Sequence, residues 1–252
     1  MELGYDILVF SFCASKYFTF DNNELYVASN RGRDKAAIFK FDLDTAKEGE
    51  LIFENDEVDV YGLMRSKKRK KITGVSYTTD KRQMHFFDEW RENIQTTLEG
   101  KLKGVEVAIS QFSKDETKAI VVTYSDRSRG TYYYYNIETD ELVKLAELSP
   151  WLDENDMAEM KPIAYQSRDG LTINGYLTLP TNYKKGDKLP IVVNPHGGPW
   201  ARDNWGFDPQ VQFLANRGYG VLQMNFRGSV GYGREFWEIS FKQWGKTMQD
   251  DI

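Results

Sequence analysis

A single cysteine, Cys13, stands among 252 residues, which excludes an internal disulfide framework and any cysteine-based metal site. No run approaches the ~18 consecutive apolar residues of a membrane-spanning helix. Histidine is equally scarce, limited to His85 and His196. A basic excess is missing too: the net charge of −5 argues against nucleic-acid binding, which needs a positive field. The opening stretch, MELGYDILVFSFCAS, has an apolar centre but carries Glu2 and Asp6 where a signal peptide needs positive charge. It reads as a strand near a domain edge. With no leader inside this chain, a soluble cytoplasmic or periplasmic protein is expected and the choice between the two stays open.

What is present points first to strands. Aromatic residues make up 14% of the chain, and they suit a pleated, half-buried surface. The one basic run, Lys67-Lys68-Arg69-Lys70-Lys71, leads straight into strand-like ITGVSY and reads as a solvated loop or edge strand rather than a polyanion site. Residues 17–148 are repetitive. Asp21 to Thr45 can be laid over Asp115 to Thr139 at a constant offset of 94, which pairs Val27 with Val121, Ile38 with Tyr132 and Phe41 with Tyr135. At half that offset KITGVSYTTDKRQMHFFD falls between them, more weakly matched. Strand-rich units of this period suggest propeller blades, which run about 40–50 residues each. Consecutive tyrosines Tyr132 to Tyr135 alternate faces in a strand and read as packing. Three blades cannot close a propeller, so further sequence before residue 1 is expected.

The pattern changes at SPWLDENDMAEMKP, residues 149–162, an acidic, proline-bounded stretch read as a linker. Residues 1–148 are accordingly expected to form a partial propeller, and 163–252 the amino-terminal portion of a second domain. There, IAYQSRDGLTINGYLTLP reads as a hairpin turning at Asp169-Gly170. KLPIVVNPHGGP reads as a strand covered on both faces. A helix is expected from Asp208-Pro209 to Gly218, then a buried strand in YGVLQMNFRG, which together make a βαβ unit. REFWEISFKQW reads as a second helix or a short helical segment. Thr247 and Asp250 sit at capping spacing for a third helix, and its first turn is the last of this chain, so sequence beyond Ile252 is expected.

The chemistry is half-present. A nucleophilic serine in an α/β-hydrolase sits in Gly-x-Ser-x-Gly, and no such pattern occurs. Around Ser229 the first glycine is replaced by Arg227; around Ser76 the second is replaced by Thr78. His85 lies among phenylalanines and reads as packing. His196-Gly197-Gly198-Pro199, after an apolar strand, fits a loop whose backbone N–H groups face a developing oxyanion. From these residues alone a plain tight turn is equally available.

The combination of Asp169-Gly170, His196-Gly197-Gly198-Pro199 and Arg227-Gly228-Ser229-x-Gly231-Tyr232-Gly233, over residues 162–252, resembles the prolyl oligopeptidase family of serine peptidases, nearest its acylaminoacyl- and dipeptidyl-peptidase branches. The resemblance implies a β-propeller that precedes and caps an α/β-hydrolase domain, in agreement with the repeats. It implies that Gly198 donates one oxyanion N–H, that His196 and Gly197 shape that loop, and that Arg227 is structural, anchored by Asp250 or Asp251. The family's serine, aspartate and histidine have no counterpart in these residues, so the chain is expected to be an inactive piece of a peptidase for short peptides. The alternatives are an esterase-like or lipase-like hydrolase with a β-rich cap, and a non-catalytic propeller module that binds partners. No metal or organic cofactor is called for. Open sheet edges lead to an expectation of self-association.

Overall fold

The computed structural model describes residues 13–252; the edge strand expected at the start therefore lies outside them for residues 1–12. Three antiparallel sheets come first. Strands β1 (Cys13–Phe18), β2 (Glu24–Ser29), β3 (Ala37–Asp42) and β4 (Lys47–Phe53) form the first, in sequence order. The second contains β5 (Val60–Ser66), β6 (Lys71–Thr78) and β7 (Arg82–Phe86). After helix α1 (Glu89–Lys101), the third contains β8 (Glu106–Phe112), β9 (Lys118–Tyr124), β10 (Thr131–Asn136) and β11 (Glu141–Glu147).

The first and third sheets repeat in detail, because the same polar side chains close the same turns. Asp42 Oδ1 accepts from the amides of Asp44 and Thr45, and Asn136 Oδ1 does the same for Glu138 and Thr139. These are Asx turns, in which a short polar side chain mimics a backbone acceptor. Thr19 donates to Asp21 as Ser113 donates to Asp115, each 2.6 Å, two blades apart. The left-handed backbone positions recur as well: Asn22 and Glu116, then Ala46 and Asp140.

The middle unit departs from the repeat for a physical reason. Where the other two have a fourth strand, the chain forms α1. Asp88, 4% exposed, caps that helix by accepting from the Arg91 amide at 3.0 Å, and Glu89 and Glu92 favour its amino end. Ile94 and Leu98, four residues apart, bury one face against Val107, Ala119, Val121 and Tyr135 of the third sheet. Burying each such side chain contributes roughly 1.5–3 kcal/mol. The basic run 67–71 ends in the same place: Arg69 meets Asp88 at 2.5 Å and Lys71 also pairs with it, around a hairpin turn. His85 is exposed and stacks on Phe53 at 4.8 Å, with Phe87 at 5.3 Å. Of the four tyrosines only Tyr135 is fully buried.

A mixed sheet follows, in the order β12-β13-β15-β14. Strand β12 (Met160–Gln166) begins inside the stretch read as linker, and pairs with β13 (Thr172–Thr178) as a hairpin. Strand β14 (Ile191–Val193), helix α2 (Pro209–Ala215) and β15 (Gly220–Asn225) make the parallel βαβ unit. Asp208 caps α2 by accepting from Gln210 and Val211, with Pro209 at the first helical position where its missing N–H costs nothing. Two expectations need correction, those for β14 and for Thr247. β14 is not covered on both faces: as an edge strand with one neighbour, it leaves Ile191 48% and Val193 43% exposed. REFWEISFKQW forms the shorter of the two segments expected of it, α3 (Arg234–Glu238), and then turns, with Lys242 in the left-handed region. Thr247 does not cap α4 (Thr247–Asp250); its hydroxyl contacts Gln243 Oε1 at 3.0 Å instead.

The blades hold the turn that follows β15. Asp34 of the first sheet accepts from Arg234 N through its carbonyl (2.9 Å) and from Glu235 N through Oδ1 (2.7 Å). Helix α3 has no side-chain cap of its own, so Asp34 supplies one from another sheet. Asp59 N donates to Gly231 O at 3.0 Å, and Asp59 Oδ2 accepts from Gly233 N at 3.2 Å. Arg202 Nη2 donates to Thr79 O and to the Tyr232 hydroxyl, both at 3.0 Å. Among the described residues no helix is long and apolar enough to cross a membrane.

Candidate active site

The His196–Pro199 loop leaves the carboxyl end of β14, the end where open α/β sheets place ligands. Gly198 has φ +142°, and a Cβ there would sit 2.7 Å from Trp200 N, so only glycine fits. Among the described residues the Gly198 N–H has no hydrogen-bond acceptor. Gly198 is exposed and opens onto a cleft of about 430 Å³, walled by Pro195, His196, Phe226, Trp244 and Met248.

His196 does not face that cleft as a free base. Its ring stacks on Phe226 at 4.5 Å and 18°, its Nε2 lies 2.9 Å from Ser229 Oγ, and its Nδ1 lies 3.0 Å from Gly197 O. A serine beside a histidine invites a nucleophile–base reading, but Ser229 is 0% exposed and its hydroxyl also lies 2.7 Å from Phe226 O. No substrate carbonyl reaches it. The pair instead fixes the imidazole, and Val230 N donates to Ala201 O at 3.0 Å to tie the two loops together.

Arg227 lies between those contacts, 6% exposed. Its Nε and Nη2 donate to the two oxygens of Asp251 at 2.8 and 2.7 Å, and its backbone N donates to Asp251 Oδ2 at 2.9 Å. Nη1 reaches Asp169 at 2.8 Å. Asp251, 0% exposed, also accepts from Ser167 Oγ at 2.6 Å, so every lone-pair direction of its carboxylate is used. The hydrogen bond to Asp251 raises the guanidinium pKa further, and Arg227 in turn holds the Asp169 carboxyl below the usual range. Asp250 is elsewhere: it pairs with exposed Arg168 at 2.8 Å. Burial pushes Asp203 up, and its Oδ1 accepts from Gln223 at 3.2 Å. Burial also moves the Tyr176 hydroxyl to about 12.

Residues 205–252 match the prolyl oligopeptidase family. The chain belongs to that family. It is 35% identical over 246 residues to dipeptidyl aminopeptidase BIII of Pseudoxanthomonas mexicana, covering 93% of this chain and 34% of that protein. It is 28% identical over 261 residues to dipeptidyl peptidase family member 6 of Caenorhabditis elegans, covering 93% and 35%. A Mycobacterium tuberculosis puromycin-hydrolyzing peptidase shares the fold, with a TM-score of 0.71 at 19% identity over 96% of this chain and 37% of that one. The chain thus spans about a third of the length of the relatives it matches. The fold class is that of this family: propeller-like antiparallel sheets followed by α/β-hydrolase strands.

The motif residues His196, Gly198 and Arg227 lie in one neighbourhood. Sequence reading missed the partners that arrange them: Ser229 for His196, Asp169 as a second carboxylate for Arg227, and Arg202, Asp34 and Asp59 at the junction with the blades. Asp169 was visible only as a turn residue beside Gly170. Nothing local in the sequence marks Asp34 or Asp59, whose contacts join residues more than 170 positions apart.

Proposed function

We propose that this chain supplies the oxyanion loop of a serine-type peptidase acting on short peptides, with Gly198 N–H as one donor and His196 and Gly197 shaping the loop. In that arrangement a serine attacks the scissile carbonyl and a histidine accepts the serine proton. The carbonyl oxygen takes up the negative charge beside Gly198 N–H, and the amine leaves as the acyl-enzyme forms. The observation that carries the reading is the N–H of exposed Gly198, without an acceptor among the described residues and on the lining of a cleft. Arg227 and Asp251 act as supports. The 252 residues contain no Gly-x-Ser-x-Gly, so the chain by itself is inactive and the nucleophile belongs to other sequence. The described residues up to 148 are assigned to the blades, 149–162 to the connection, whose last three residues already open β12, and 163–252 to the hydrolase portion.

The test compares this chain with the product of its whole gene, using peptidyl p-nitroanilides and p-nitrophenyl esters. The chain alone turns over neither. The whole product hydrolyses the anilides, and Gly198→Ala lowers kcat by about 10²–10³, the usual cost of an oxyanion donor. Anilide turnover unchanged by Gly198→Ala refutes the assignment, and turnover of esters alone replaces peptidase with esterase.

A further inference from the structure

A second cleft, of about 790 Å³, adjoins the first. Its walls are Trp200, Trp237, Phe241 and Trp244, with Lys242 and Lys246 at the rim. Trp200, Trp237 and Phe241 pack edge to face at 4.6–5.9 Å. Trp200 is fixed further by its Nε1 donating to Ser240 Oγ at 3.2 Å. Yet Trp200 remains 49% exposed and Trp244 67%. The size and the mostly aromatic lining with a few charged groups match a small-ligand site.

Three observations identify the occupant. The lining contains two ammonium groups and no carboxylate, and among the described residues neither Lys242 nor Lys246 has an ion-pair partner. Lys242 is held at φ +60°, a conformation disfavoured for any residue with a Cβ, within the turn that closes the cleft. The cleft is also continuous with the Gly198 site: Trp244 lines both, and Trp200 follows Gly198-Pro199 directly.

We propose that this cleft binds the carboxyl-terminal residue of a short peptide, the apolar side chain between Trp200, Trp237 and Trp244 and the free carboxylate between Lys242 and Lys246. The placement next to the scissile bond rests on the peptidase reading; the binding itself does not.

The 252-residue chain is titrated with Ala-Ala-Phe, its carboxyl-terminal amide and Ala-Ala-Ala, followed by calorimetry and tryptophan fluorescence. Ala-Ala-Phe binds saturably and perturbs the fluorescence. The amide binds about tenfold more weakly, the upper range for losing two exposed ion pairs, and the preference fades with salt. Ala-Ala-Ala also binds more weakly. The double variant Lys242→Gln/Lys246→Gln, both side chains exposed, keeps its circular dichroism and loses the acid-over-amide preference. Trp244→Ala weakens all three ligands. Equal binding of acid and amide overturns the proposal, as does a preference that survives the double variant. So does an absence of saturable binding, including the case where sedimentation shows the patch joining two copies of the chain. Acid preference without Gly198-dependent turnover refutes the peptidase reading alone. Gly198-dependent turnover without acid preference refutes the cleft alone.

Discussion

Replacing Arg227 by methionine isolates the worth of the ion pair beneath the His196–Pro199 loop. Asp251 is 0% exposed and loses its two guanidinium hydrogen bonds, while those from Arg227 N and Ser167 Oγ remain. Removing one partner of a buried pair leaves an uncompensated charge and costs about 3–5 kcal/mol. At about 2–4 °C per kcal/mol for a chain of this size, the melting temperature falls by roughly 6–20 °C. Asp251→Leu leaves the opposite charge, but Asp169 still touches Nη1, so the loss is smaller. The double variant Arg227→Met/Asp251→Leu buries no unpaired charge and is less destabilised than the sum by about 2–3 kcal/mol. Urea denaturation followed by circular dichroism of the four proteins measures the cycle. Additive losses, or a cost below about 1 kcal/mol for Arg227→Met, would refute the view that the pair is a buried, coupled unit.

Leu98→Ala empties a fully buried site between α1 and the third sheet, and costs about 2–5 kcal/mol in the same denaturation assay; a loss under about 1 kcal/mol means the helix does not replace a strand as a core element. Acid sensitivity follows from Asp88. Burial alone would raise its pKa, but Arg69, Lys71 and the Arg91 amide hold it below the usual value. A depressed carboxylate stabilises the fold fully above its unfolded pKa of about 4, and that stability is lost as pH falls through the folded value. Asp88→Asn keeps the helix cap and lacks the charge, so its stability declines less steeply below about pH 4 in a pH series of urea midpoints; an identical slope refutes the linkage.

The blade repeat was legible because its signal is local chemistry. Asp21 and Asp115, or Asp42 and Asn136, each close a turn with their own side chain, and that requirement survives in the letters. Helix α1 was not legible for the opposite reason. Its apolar positions are few, Trp90, Ile94 and Leu98, and the burial that makes it stable comes from the third sheet rather than from its own sequence. The apolar run Ile191–Val193 misled in another way: hydrophobicity records an appetite for burial but not how many neighbours a strand has. The His196-Gly197-Gly198-Pro199 loop was found from its glycines and the resemblance, whereas the contacts that hold it come from residues around Arg227.

Those contacts link stability to the proposed chemistry. Phe226 and Ser229, on either side of Arg227, hold the His196 ring from its face and its edge. Arg227 is fixed from below by Asp251, and the turn at Gly231–Gly233 is fixed by Asp59 of the blades. The surroundings of the Gly198 loop are therefore braced from two places outside it, by one carboxylate in the residues after α4 and one in the blades. A donor that must meet a developing oxyanion needs geometry set before the substrate arrives. Arg227→Met consequently has an effect that Leu98→Ala, remote from the loop, does not share. It frees Phe226 and Ser229, so amide exchange at 196–201 quickens even under conditions where the chain remains folded, while Leu98→Ala leaves that exchange unchanged.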